Sequence, residues 1–167
     1  MIRAVRWEIK EVGTERSIQL YDENNNPVDG KDAYWDGDFD CYNNSLTSLE
    51  GSPEVVNGIF NCSGNQLTSL EGSPQIVNND FYCDNNKLTS LEGSPEIIYG
   101  TFTCYDNNLT TLEGSPKEIK GDFDFSGTNM TSLDWFPEVG GVIRFDDNFI
   151  EHNKILAIAL GDRRFII

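Results

Sequence analysis

Four cysteines stand at positions 41, 62, 83 and 104, evenly spaced along the chain. Thiols can pair as disulfides or hold a soft metal, but a tetrahedral metal shell needs ligands that converge on one point. Equally spaced thiols in a repeated chain instead form a line, because stacked strands lie about 4.8 Å apart. Buried free thiols pack as small hydrophobic groups. Met1–Lys10 also lacks the continuous apolar run of a secretory leader, so an oxidising compartment is not indicated. The cysteines are therefore expected in the core. Asp38 with Asp40, and Asp122 with Asp124, are spaced as an acid and base pair could be. On an open strand surface, however, their pKa values have no reason to shift. Asp84-Asn85-Asn86 and Asp106-Asn107-Asn108 offer oxygen ligands to a hard cation. Neither an EF-hand spacing nor a glycine-rich calcium nonapeptide accompanies them, so solvated corners are expected. The single histidine, His152, stands outside the repeats, and no phosphate-cradling loop is present. The chain is expected to be no enzyme, with no cofactor and no metal.

The elements that position these residues follow from self-similarity. The string LTSLEGSP begins at Leu46, Leu67 and Leu88, returns as LTTLEGSP at Leu109 and as MTSLDWFP at Met130, always at the interval that separates the cysteines. Upstream, Phe39 and Cys41, Phe60 and Cys62, Phe81 and Cys83, and Phe102 and Cys104 alternate with polar residues, which is the period of a short strand buried on one face. Phe123 and Phe125 take these places in the fifth unit, and a degenerate sixth arrives one residue early with Ile143, Phe145, Asn148 and Ile150. An Asn follows the Cys position by three at Asn44, Asn65, Asn86, Asn107 and Asn148, but Thr128 stands in the fifth unit. Leu49, Leu70, Leu91, Leu112 and Leu133 supply a second inward anchor before Gly, Ser and Pro break the element. Val56, Val77, Ile98 and Ile119 then re-enter the core.

This pattern resembles the leucine-rich-repeat consensus LxxLxLxxNxL over roughly residues 37–150, with Phe and Cys at the two strand-core positions. The LTSLEGxP phrase with F-x-C strands is similar to short repeats in bacterial and large tailed-phage proteins. The resemblance implies a solenoid, and an Asn that bonds the backbone of its own corner and of the adjacent coil. Twenty-one residues, the length of one unit, leave little room for a convex helix. The expected fold is thus mostly β, a leucine-rich-repeat solenoid of stacked parallel strands with little helix on the convex side.

The ends must be sealed. Residues 1–36 are expected to form an N-terminal cap: alternating stretches Ile2–Val12 and Ile18–Tyr21 read as a hairpin turning near Gly13-Thr14, with a second turn at Asn24–Pro27. Residues 37–150 form the repeats, and residues 151–167 a C-terminal cap with a helix over Glu151–Leu160 ended by Gly161. Trp135 and Phe136 interrupt the convex phrase and are read as an exposed anchor or as packing against that cap.

The formal net charge is −16, and residues 37–139 alone carry sixteen Asp or Glu against three Lys, so the acidity belongs to the repeats. Such a surface repels nucleic acid and anionic membranes and attracts basic partners. The longest apolar run, Ile155–Leu160, is too short to span a bilayer, and a cytoplasmic address in a bacterial or phage-infected cell is expected. The core positions barely vary between units, whereas the residues flanking Phe and Cys do. The expected binding residues are Asp38, Asp40, Tyr42, Asp80, Tyr82, Asp84, Tyr105, Asp122, Asp124 and Arg144, on a strand face that holds a basic protein. The alternatives are a phage-encoded inhibitor that mimics nucleic acid against a host or defence enzyme, and a self-assembling virion component.

Overall fold

The computed structural model describes residues 1–146 and the backbone of Phe165–Ile166. Each repeat unit makes one coil of a β-solenoid, about five turns in all, and each coil contributes two short strands. The first sheet stacks Phe39–Asp40, Phe60–Asn61, Phe81–Tyr82, Phe102–Thr103, Phe123–Asp124, Ile143–Arg144 and Phe165–Ile166, every pair parallel. The second stacks Ile2–Ala4, Ala33–Trp35, Val55–Val56, Ile76–Val77, Ile97–Ile98, Glu118–Ile119 and Glu138–Val139, again parallel. The re-entering Val and Ile residues are therefore a sheet in their own right, across the core from the Phe strands.

Because sequence period and coil length coincide, equivalent residues lie in register: Phe39 over Phe60, Phe81, Phe102 and Phe123. These rings run through the core as a continuous column, neighbours 5.1–5.7 Å apart between centroids. Beside them the four Cys, the paired Leu of each phrase from Leu46 to Leu112, and Val56, Val77, Ile98 and Ile119 are fully buried. No coil could bury this strip alone, so stability comes from stacking. A 3-10 turn at Gly30–Asp32 is the one helical element among the described residues. The early arrival of the sixth unit is a single deletion. Pro137 still follows Pro116 by one full period, yet Glu138 pairs with Glu118 and Ile143 with Phe123, each one residue short of it. The residue lost therefore lies between Pro137 and Glu138, in a turn where it disturbs no strand.

The N-terminal cap differs from the sequence reading in one respect. Arg6–Val12 and Glu15–Tyr21 form the antiparallel hairpin around Gly13-Thr14, joined by Pro27–Val28. Ile2–Ala4, read as part of that hairpin, leaves it at Val5 and becomes the first strand of the second sheet, parallel to Ala33–Trp35. Pairing there satisfies a sheet edge that the hairpin alone would leave open. Trp7 and Trp35 cover the face of Phe39, with centroids at 5.5 and 5.0 Å, and Trp35 Nε1 donates to the Asp38 carbonyl at 2.9 Å. The expected helix over Glu151–Leu160, with His152, Asn148 and Ile150, lies outside the described residues. Trp135 and Phe136 part ways: Trp135 is 66% exposed, while Phe136 packs against Phe123 and Phe125. No helix among the described residues is long and apolar enough to cross a membrane.

Candidate functional site: the strand face

The face of the first sheet brings all ten expected residues together, but many of their side chains are already engaged within the solenoid. Asp38, Asp80 and Asp122 stand two periods apart, in every second coil. The Oδ1 of each accepts the backbone N–H of the next coil: Ile59 at 2.8 Å, Thr101 at 2.7 Å and Val142 at 2.8 Å. A carboxylate there reaches over the glycine before the accepted N–H. A Cβ on Gly58, Gly100 or Gly141 would lie only 2.2–2.3 Å from that oxygen. Asn79 occupies the same repeat position in a coil that follows Ile59, where no carboxylate leans across. The face thus repeats with a two-coil unit, Asp coils alternating with coils bearing Ile59, Thr101 or Val142.

In the second column, Asp40 and Asp124 accept the N–H two residues on, from Tyr42 and Ser126, each at 3.0 Å. This is the local turn an Asp side chain makes with its own backbone. Tyr82 donates its hydroxyl to Asp80 Oδ2 at 2.6 Å, and that bond pushes the phenol up to about 12. Arg144 donates to Asp122 Oδ2 at 2.9 Å. The Val142 N–H first, then Arg144, holds Asp122 below the ordinary carboxylate value.

Asp84 departs from the expected open surface. It is only 6% exposed, set among Ser63, Thr103 and Tyr105. Its carboxylate accepts from Thr103 Oγ1 at 2.8 Å, Ser63 Oγ at 3.3 Å and the Tyr105 N–H at 3.2 Å. Loss of water outweighs these bonds and raises its pKa to about 6, with Asp124 adding repulsion. The expectation of unshifted carboxylates in the Asp38–Asp40 and Asp122–Asp124 pairs therefore fails at Asp122, and the expectation of a solvated corner fails at Asp84. The failure at Asp84 arises because neighbouring coils close over a residue that alternation alone places outside. Asp84 in turn raises Tyr105. Tyr42 at 56% and Tyr105 at 36% are exposed, as are Asp38 and Asp40.

Beneath the face the other candidate chemistries are accounted for. Cys41, Cys62 and Cys83 donate their thiols to the carbonyl of the next coil, at 3.3–3.4 Å. Burial pushes all four thiols far up, which keeps them protonated and unreactive. Asn86 accepts the Leu67 N–H at 3.0 Å and donates to the carbonyls of Cys62, Cys83 and Asp84. Asn65 and Asn107 repeat the arrangement. Asn86 and Asn107 thus point inward and are not free to serve a cation. Among the described residues no group of three or more His, Cys, Asp or Glu is placed to hold a metal ion.

Two features escaped the sequence reading. On the outer side of the second sheet Val55, Ile76 and Ile97 stack in successive coils, and Ile76 is 44% exposed. The doubled apolar residues Val55-Val56, Ile76-Val77 and Ile97-Ile98 were the available signal, because one of two successive strand residues must face away from the core. The second is a cleft beneath the N-terminal hairpin, whose walls come from distant parts of the chain. Comparison with family models, with curated proteins and with solved structures finds no match for this chain.

Proposed function

We propose that this chain is a leucine-rich-repeat interaction module that binds a basic protein segment, without catalysis, on the strand face. The observation that carries the reading is the division of labour among the face carboxylates. Asp38, Asp80 and Asp122 each spend one oxygen on bracing the next coil, so their positions are set by the backbone and not by free rotation. A charge held in place before binding loses little entropy on meeting a cation. Asp40, Tyr42 and Tyr105 provide the exposed contacts beside them. The carboxylates steer a cationic partner and the tyrosines contribute the apolar area where interface energy concentrates.

The test is capture from bacterial lysate by the tagged chain, at low and at high salt, beside an Asp40→Asn/Tyr42→Ala/Tyr105→Ala variant. The reading expects a basic protein retained by the wild type and lost by the variant, with melting unchanged. Retention that survives high salt supports tyrosine-anchored recognition. A collapse with rising salt favours nucleic-acid mimicry. Equal capture by both forms removes the strand face from consideration.

A further inference from the structure

The cleft beneath the hairpin is a second candidate site, on a different surface from the strand face. It measures about 570 Å³, within the range of small-ligand pockets. One wall carries Lys10 and Ser17, which face each other across the hairpin. Lys31 extends that wall from the 3-10 turn, and the opposite wall is the first coil's turn, with Glu50 and Glu54. The walls are tied at their base: the Ile18 N–H donates to the Glu50 carbonyl at 3.0 Å, and the Glu54 N–H to the Gly30 carbonyl at 2.8 Å. The cleft is therefore preformed.

Two independent observations point to a ligand. Ser17 lines the cleft, and its hydroxyl has no hydrogen-bond partner among the described residues. The hydroxyl is therefore open to the cleft and free to bond a molecule that enters it. The second concerns the cations. Among the described residues, Arg3, Arg6, Arg16, Lys117, Lys120 and Arg144 all sit in ion pairs. Lys87 rests on the Gln66 amide. Lys10 and Lys31 are left without an ion pair, in a chain with more than twice as many acids as bases, although Glu50 and Glu54 line the same cleft. Opposite charges that share a cleft without touching leave room for a molecule carrying both signs.

We infer that this cleft binds a zwitterion of the free amino-acid type. Its carboxylate is held by Lys10, Lys31 and the Ser17 hydroxyl, and its ammonium by Glu50 and Glu54. Charge-assisted hydrogen bonds at both ends recognise the pair of groups together.

The experiment is calorimetric titration of the full chain with each of the twenty amino acids, with glycylglycine, and with acetate and methylamine separately. The proteins are wild type, Lys10→Met/Lys31→Met, Glu50→Gln/Glu54→Gln and Ser17→Ala, each checked for an unchanged melting curve. At least one amino acid should bind the wild type, about tenfold or more above acetate and methylamine. Each double variant should lose about tenfold and Ser17→Ala a smaller factor. Binding of glycylglycine in place of the amino acids would overturn the free-amino-acid assignment. So would acetate binding as tightly as any amino acid, affinity unmoved in the charge variants, or no heat with any probe. If the double variants do not fold, Ser17→Ala and the probe series still decide the matter. None of these changes touches the strand face, so partner capture there should persist whichever way the cleft behaves.

Discussion

The third and fifth coils occupy equivalent places in one stack yet are held by different means. In the third, Asn86 joins two coils through four hydrogen bonds, Cys83 fills the inner position, and Gly93 takes a φ of +92° at the convex turn. In the fifth, Thr128 reaches only its own coil, at the Phe125 carbonyl, Phe125 replaces the cysteine, and Trp135 takes φ +68° where the other units have glycine. Both keep their strands in register. The difference teaches that register follows from coil length and the Phe column, whereas the Asn and Gly positions set how firmly a coil is fastened.

The comparison breaks most visibly at the amide. Asn86→Ala should cost about 3 kcal/mol or more, because it leaves several buried backbone groups unpaired. Thr128→Ala should cost about 1 kcal/mol or less. Urea unfolding of the two variants measures the gap, and equal losses would contradict the role given to the ladder.

Asp84, also in the third coil, comes next. Its folded pKa of about 6 lies above the ordinary 3.8, so the stability linked to it is full below about 4 and is lost as pH rises through 6. At neutral pH the ionised form costs about 2–3 kcal/mol by that linkage. Asp84→Asn should therefore raise the melting temperature at pH 7 and leave it nearly unchanged at pH 4. The difference between the two proteins isolates Asp84 from the lowered Asp122, whose contribution has the opposite sign and is lost in acid.

Trp135→Gly should stabilise the fifth coil by about 1 kcal/mol, since a bulky residue at positive φ is strained. A melting temperature that falls instead would show Trp135 to be a packing residue despite its exposure. The smallest effect is expected from Thr128→Asn. The Leu109 N–H has no amide above it, unlike Leu46, Leu67 and Leu88. Restoring one should add about 0.5–1 kcal/mol, and a double-mutant cycle with Asn107→Ala would show whether the two rungs couple.

Much of the fold was legible because a repeated unit makes its own arithmetic visible. Phe39 and its four successors, the buried cysteines and the inward Leu pairs all stand where the period puts them. The second sheet was not recognised as one, since two-residue strands such as Val55–Val56 are too short to show a period of their own. The candidate face was legible only as a set of columns. Alternation identifies which residues leave the core on a strand, but says nothing of what they meet next.

The sequence alone determined the solenoid, its register and the loss of one residue before the sixth coil, because stacking identical coils leaves no choice about which residue lies over which. Tertiary structure decided what each outward side chain does. Asp38 braces Ile59 in the next coil, Asp84 is enclosed by Ser63 and Thr103 from the coils on either side, and Lys31 comes to share a cleft with Glu50. Each of these depends on the distance between coils or on the angle at which the hairpin docks. Those quantities emerge only when separate parts of the chain pack and water is excluded between them.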